Sequence, residues 1–155
     1  MDGGTISNSN EKVGFIAFYS GDTTMAVNFW MKALENCDTC ISLSKFVPYY
    51  CDRIGRSTEA LKILNEFYER YPQDSTYLLN FAFHFLDKKE YATAISYLNK
   101  YISKDSINTI AIATLADCYS GLKNFAEAEK YYLKSLKLEP EDATINNNYA
   151  YLLSS

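Results

Sequence analysis

Asn108 to Asp142 reads NTIAIATLADCYSGLKNFAEAEKYYLKSLKLEPED, and its spacing decides the fold. Ile112, Leu115, Ala116 and Tyr119 recur at i, i+3, i+4 and i+7, so they share one face of a helix. Ala128, Tyr132, Ser135 and Leu136 do the same for a second helix. A polar turn, Gly121-Leu122-Lys123-Asn124, separates the two runs. Asn124 can cap the second helix, with Glu127 three residues on as the return half of a capping box. Pro140 follows as a stop signal. The stretch therefore predicts two antiparallel helices, A and B.

Working outward, the same pattern returns at a fixed interval. Ala26, Ala60, Ala94 and Ala128 are each 34 residues apart. A second small column precedes it: Gly14, Pro48, Ala82 and Ala116, continued by Ala150. Trp30, Leu64, Leu98 and Tyr132 form a large apolar column, and Ala33, Phe67, Tyr101 and Ser135 another. Polar turns recur as Ser20-Gly21-Asp22, Ile54-Gly55-Arg56 and Asp87-Lys88-Lys89-Glu90. A period of this length marks a repeat architecture. The small columns have a steric reason: where A and B cross, the backbones come too close for a large side chain.

Composition narrows the function. The chain has 155 residues, 48% of them hydrophobic and 22% charged, which suits a folded domain. With 15 Lys plus Arg against 19 Asp plus Glu, it lacks the cation excess that phosphate binding needs. No nucleic-acid or membrane partner is expected. No apolar run approaches the roughly 18 residues of a membrane span. The start lacks the basic and apolar regions of a signal peptide, and a cytoplasmic setting is expected. Reduced thiols are the default for Cys37, Cys40, Cys51 and Cys118 in that setting. Cys37-Asp38-Thr39-Cys40 stands alone, without the second pair of ligands a zinc site needs. The one histidine, His84, is read as packing against a neighbour. With no convergent acid–base set, no enzyme, cofactor or metal is expected.

These columns resemble the tetratricopeptide repeat (TPR) family. Asn108–Asp142 carries that family's apolar-xx-Leu-Ala-xx-Tyr first helix, its Ala-xxx-Tyr second helix and its closing Pro. The resemblance covers nearly the whole chain. It implies an all-α fold, a right-handed α-α superhelical solenoid of antiparallel helix pairs. Residues 1–6 read as a polar, disordered leader. Four units follow at 7–40, 41–74, 75–108 and 109–142, and residues 143–155 match helix A of a fifth. Tyr149, Leu152 and Leu153 then have no helix B to pack on, so the chain reads either as a piece of a longer array or as an end that meets another surface. Two departures stand out. Gly14 occupies a position where a helix-favouring residue is expected. Pro48 falls inside a helix A, where it would delay the start until about Ser44 or kink the helix.

The family resemblance further implies that the A helices line a concave groove that takes a peptide or short helix. By position, its apolar stripe is Phe15, Tyr19, Tyr49, Leu79, Phe83, Ile110 and Tyr151, with Lys45, Asn80 and Asp117 as polar members. A clamp for a free C-terminal carboxylate, known in some TPR proteins, is matched by Lys45 and Asn80 alone. The partner is therefore expected to insert apolar side chains. The leading reading is a non-catalytic protein-protein interaction scaffold. The alternatives are a homo-oligomeric element that self-associates through its C-terminal helix, and a small chaperone shielding apolar segments.

Overall fold

The computed structural model describes residues 3–155, with side chains from Ser7 onward. The described residues form nine helices and no strand: α1 Gly3–Tyr19, α2 Thr23–Glu35, α3 Ile41–Arg53, α4 Ser57–Arg70, α5 Thr76–Asp87, α6 Tyr91–Ile102, α7 Thr109–Gly121, α8 Phe125–Leu138 and α9 Ala143–Leu153. They divide into two compact units, one ending at Asn80 and the other running Phe81–Ser155, with the division inside α5.

In the first unit α1 packs on α2, α2 on α3 and α3 on α4. Ala26 and Ala60 are fully buried, as are Trp30 and Leu64 one turn further on. Gly14 is explained by its neighbour. A Cβ at Gly14 would overlap the five-membered ring of Trp30, so the helix gives up a side chain where the indole needs room.

In the second unit α6 packs on α7, α7 on α8 and α8 on α9. Ala82, Ala94, Ala116 and Ala128 are fully buried. Ile145 and Leu152 of α9 close this core against Ala128 and Tyr132. Leu152 is thus covered, contrary to the sequence expectation, because α8 reaches it. Ala150 and Leu153 remain exposed.

Equivalent bonds recur at the repeat spacing. Ser7 Oγ donates to the Ala33 carbonyl at 2.8 Å, joining α1 to α2. At the matching pair three periods on, Ser135 Oγ donates to the Thr109 carbonyl at 3.0 Å, joining α8 to α7 in the opposite sense. The A–B turns show the same regularity. Gly21, Gly55, Lys89 and Lys123 all have left-handed backbones, with φ of 89°, 80°, 61° and 60°. Glycine adopts this conformation freely and lysine does not. Lys89→Gly and Lys123→Gly should therefore each stabilise the chain by up to about 1 kcal/mol in urea unfolding. A loss of stability in both would show that the turns do not hold this geometry.

Four further sequence expectations need correction. The leader at residues 1–6 is helical from Gly3, with Ser7 anchoring that helix to α2; Met1 and Asp2 lie outside the described residues. Pro48 does not delay its helix: α3 starts at Ile41 and carries Pro48 in its interior. Proline removes the donor that would meet the Ser44 carbonyl, while the Ser44 hydroxyl donates to the Ile41 carbonyl at 2.6 Å. Asn124 does cap α8 through the Glu127 N–H, but the box stays half made, because the Asn124 N–H donates to the Tyr119 carbonyl instead.

The cysteines are the fourth correction. Cys37 and Cys40 form a disulfide, because the turn between α2 and α3 brings their Cα atoms within 5.5 Å. Cys51 and Cys118 are free and buried, and burial pushes both thiols up to about 12. A thiol reagent should find neither in the native protein, two thiols in denaturant, and four once the disulfide is reduced. Four reactive thiols without reductant would rule the disulfide out.

Candidate functional site

The residues off the packing columns decide what each unit can present. On the first unit, Tyr19 at the end of α1 is 83% exposed and Tyr49 on α3 is 52% exposed. They end a string of rings in contact: Tyr19 on Phe18 at 5.7 Å, Phe18 on Tyr50 at 5.0 Å, Tyr50 on Tyr49 at 5.1 Å. The Arg53 guanidinium lies over Tyr49 at 4.9 Å. Phe15 is half-buried against Trp30 and Phe46, so it supports the surface more than it forms it.

Lys45, Leu79 and Asn80 also lie in this unit and are half-buried. Lys45 Nζ pairs with Asp74 Oδ2 at 2.5 Å and sits over the Tyr77 ring. Asn80 Nδ2 donates to the Lys45 carbonyl at 3.0 Å. The two clamp-like residues are thus engaged within the fold. Below them the Tyr77 hydroxyl and Ser44 Oγ share a buried hydrogen bond of 2.6 Å.

On the second unit, Phe83 on α5 is at the margin of exposure, while Ile110 on α7 and Tyr151 on α9 are well exposed. His84 is buried with its ring edge-on to Phe85, as its reading predicted.

Asp117 sits where α7, α8 and α9 meet. The Tyr132 hydroxyl on α8 donates to its Oδ1, and Asn148 Nδ2 on α9 donates to the same oxygen at 3.1 Å. A recess of about 180 Å³ opens beside it, lined by Asp117, Ser120, Tyr132, Asn148 and Tyr151. Burial pushes the Asp117 carboxyl above its ordinary value, and the two hydrogen bonds offset part of that rise. The fold then binds this proton more tightly than the unfolded chain does. Its contribution to stability is therefore greatest in acid and falls as pH rises from the ordinary aspartate value through the raised one. Asp117→Asn should remove that part of the decline when melting is followed from about pH 4 to 7. An unchanged pH profile would mean that the carboxyl is not shifted.

Sequence reasoning puts Asp117, Asn148 and Tyr151 on the A-helix face but misses Ser120 and Tyr132 as their neighbours. Asn148 is 31 residues beyond Asp117, one helical turn short of the period, which sets the two side by side on consecutive A helices. A second cleft, of about 390 Å³, lies along α2 and α4 between Met31, Ile63, Phe67 and Arg70. It falls on B helices, which the sequence reading did not consider. Among the described residues, no three His, Cys, Asp or Glu side chains come together as metal ligands. No described helix is long and apolar enough to cross a membrane.

Helix pairs with buried alanines at their crossings define the class of fold: it is the all-α fold of tetratricopeptide repeats. The tetratricopeptide repeat family model matches residues 85–150. Among solved structures, MamA (41-end) from Desulfovibrio magneticus RS-1 superposes with a TM-score of 0.79 at 13% identity, covering 97% of this chain and 85% of that one. A MamA RS-1 double mutant gives 0.81, also at 13% identity, with the same coverage. The first TPR domain of the human RPAP3 protein gives 0.68 at 20% identity, covering 76% of this chain and 93% of that one. At these identities the likeness is one of fold. No curated protein matches the sequence. The fold is one typical of protein–protein interaction scaffolds.

Proposed function

We propose that the chain is a non-catalytic scaffold that binds a peptide or short helix of a protein partner through its A-helix faces. The observation that carries this reading is the exposure of large rings off the packing columns. Tyr19 and Tyr49 on the first unit and Tyr151 on the second are more than half exposed, while Ala26, Ala60, Ala94 and Ala128 and the large column Trp30, Leu64, Leu98 and Tyr132 are buried. Aromatic side chains offer large contact area with few rotors to freeze, and exposed apolar patches mark interaction surfaces. Burying two or three of them would supply about 1.5–3 kcal/mol each, enough for roughly micromolar binding once association costs are met.

Short random peptides displayed on phage and panned on the whole chain test the reading. Selected binders should weaken at least roughly tenfold on Tyr49→Ala or Tyr151→Ala, with melting unchanged. Binders indifferent to both would place recognition elsewhere. Self-association is a second reading, favoured by the exposure of Tyr151 and Leu153 on α9. Light scattering over a concentration series separates it: a mass that stays monomeric ends that reading.

A further inference from the structure

The recess beside Asp117 has a chemistry more specific than an apolar face. One carboxylate borders it, with the Tyr132 and Tyr151 rings and the Ser120 hydroxyl around it. The groups that hold the carboxylate are neutral, a tyrosine hydroxyl and an asparagine amide. Both bonds end on Oδ1, and Oδ2 has no hydrogen-bond partner among the described residues.

Charge is segregated around it. Neither α7 nor α9 contains a lysine or arginine, and neither does α5. The helical lysines of this unit lie on α6 and α8: Lys100, Lys130, Lys134 and Lys137. A desolvated carboxylate costs stability unless a counter-charge meets it. Here the fold carries that carboxylate at a recess and supplies no cation on the helices that carry its exposed rim. The chain's net charge of -4 also favours the approach of a cationic segment.

Resting on the peptide-binding reading above, we propose that this recess takes the guanidinium of an arginine in the bound segment, with Asp117 as its counter-charge and Tyr151 as its stacking wall. Arginine fits better than lysine for two reasons. Its planar fork can donate to Oδ2 and to Ser120 Oγ together, and it stacks on an aromatic face while still charged. Tyr151, 74% exposed, is free to present that face.

The test uses the whole chain and binders taken from the phage selection. Each is remade with arginine replaced by citrulline, which keeps the shape and loses the charge. Enrichment of arginine among the binders is expected. The citrulline swap and Asp117→Asn should each weaken binding by roughly tenfold or more, and on Asp117→Asn the swap should cost little further. Asn keeps an acceptor for Tyr132, and the citrulline swap on the unaltered protein needs no variant at all. Binders that tolerate both changes, or that prefer lysine or a neutral residue at that position, overturn the arginine assignment and leave the peptide-binding reading standing. A selection that yields no binder overturns both.

Discussion

Replacing Trp30 with alanine lowers the unfolding free energy by about 3–5 kcal/mol, read from urea unfolding followed by far-ultraviolet circular dichroism. The indole is 1% exposed. It comes from α2 and meets Phe15 and Phe18 of α1 and Phe46 and Tyr50 of α3, with ring centroids between 5.1 and 5.7 Å apart. Three helices therefore lose their common contact at once. They cannot all close on the hole, because Ala26 and Ala33 already set the closest approach of α2. A loss below about 1 kcal/mol would show that the ring is dispensable to the first unit.

Gly14→Ala is the second large effect, and its sign depends on Trp30. In the native sequence the added methyl collides with the indole, and overpacking of this kind costs about 1–3 kcal/mol. Helix propensity alone would favour alanine by about 1 kcal/mol. In a Trp30→Ala background the collision is gone and only propensity remains, so the same substitution should stabilise by up to about 1 kcal/mol. A double-mutant cycle cancels the propensity common to both backgrounds and reads the collision as a coupling of about 1–3 kcal/mol. If alanine stabilises in both backgrounds, the close approach of Gly14 to Trp30 does not exist.

Much of this was legible before any coordinates. The alanine columns predicted the crossings because steric crowding acts on one position per repeat, and period 34 brings that position back each time. The A and B helices followed from the same spacing. Pairwise events were harder to read. Lys45 looks like a groove cation until Asp74 is seen to pair with it, and their separation in sequence carries no mark of the bond. Gly14 looks like a weak helix position until the Trp30 ring is placed beside it. The setting of the chain argues for free thiols, whereas the turn between α2 and α3 is what brings Cys37 and Cys40 within bonding distance.

The candidate site divides along the same line. Exposure of Tyr19, Tyr49, Ile110 and Tyr151 follows from their lying off the columns, which periodicity reports directly. The spacing also puts Asn148 beside Asp117, but it does not report that Tyr132, a packing residue of α8, turns its hydroxyl to the same carboxylate. Periodicity assigns residues to faces. It does not say which polar atoms from different faces converge.

The chain contains a single tryptophan, and its Nε1 is buried without a hydrogen-bond partner among the described residues. An indole shut away from water emits at shorter wavelengths, and moves to the red when solvent reaches it. Intrinsic emission excited at the red edge is thus a private signal of the first unit, while residues 81–155 can be followed only by their tyrosines. Recording both bands during one denaturation would show whether the two halves come apart together or in turn.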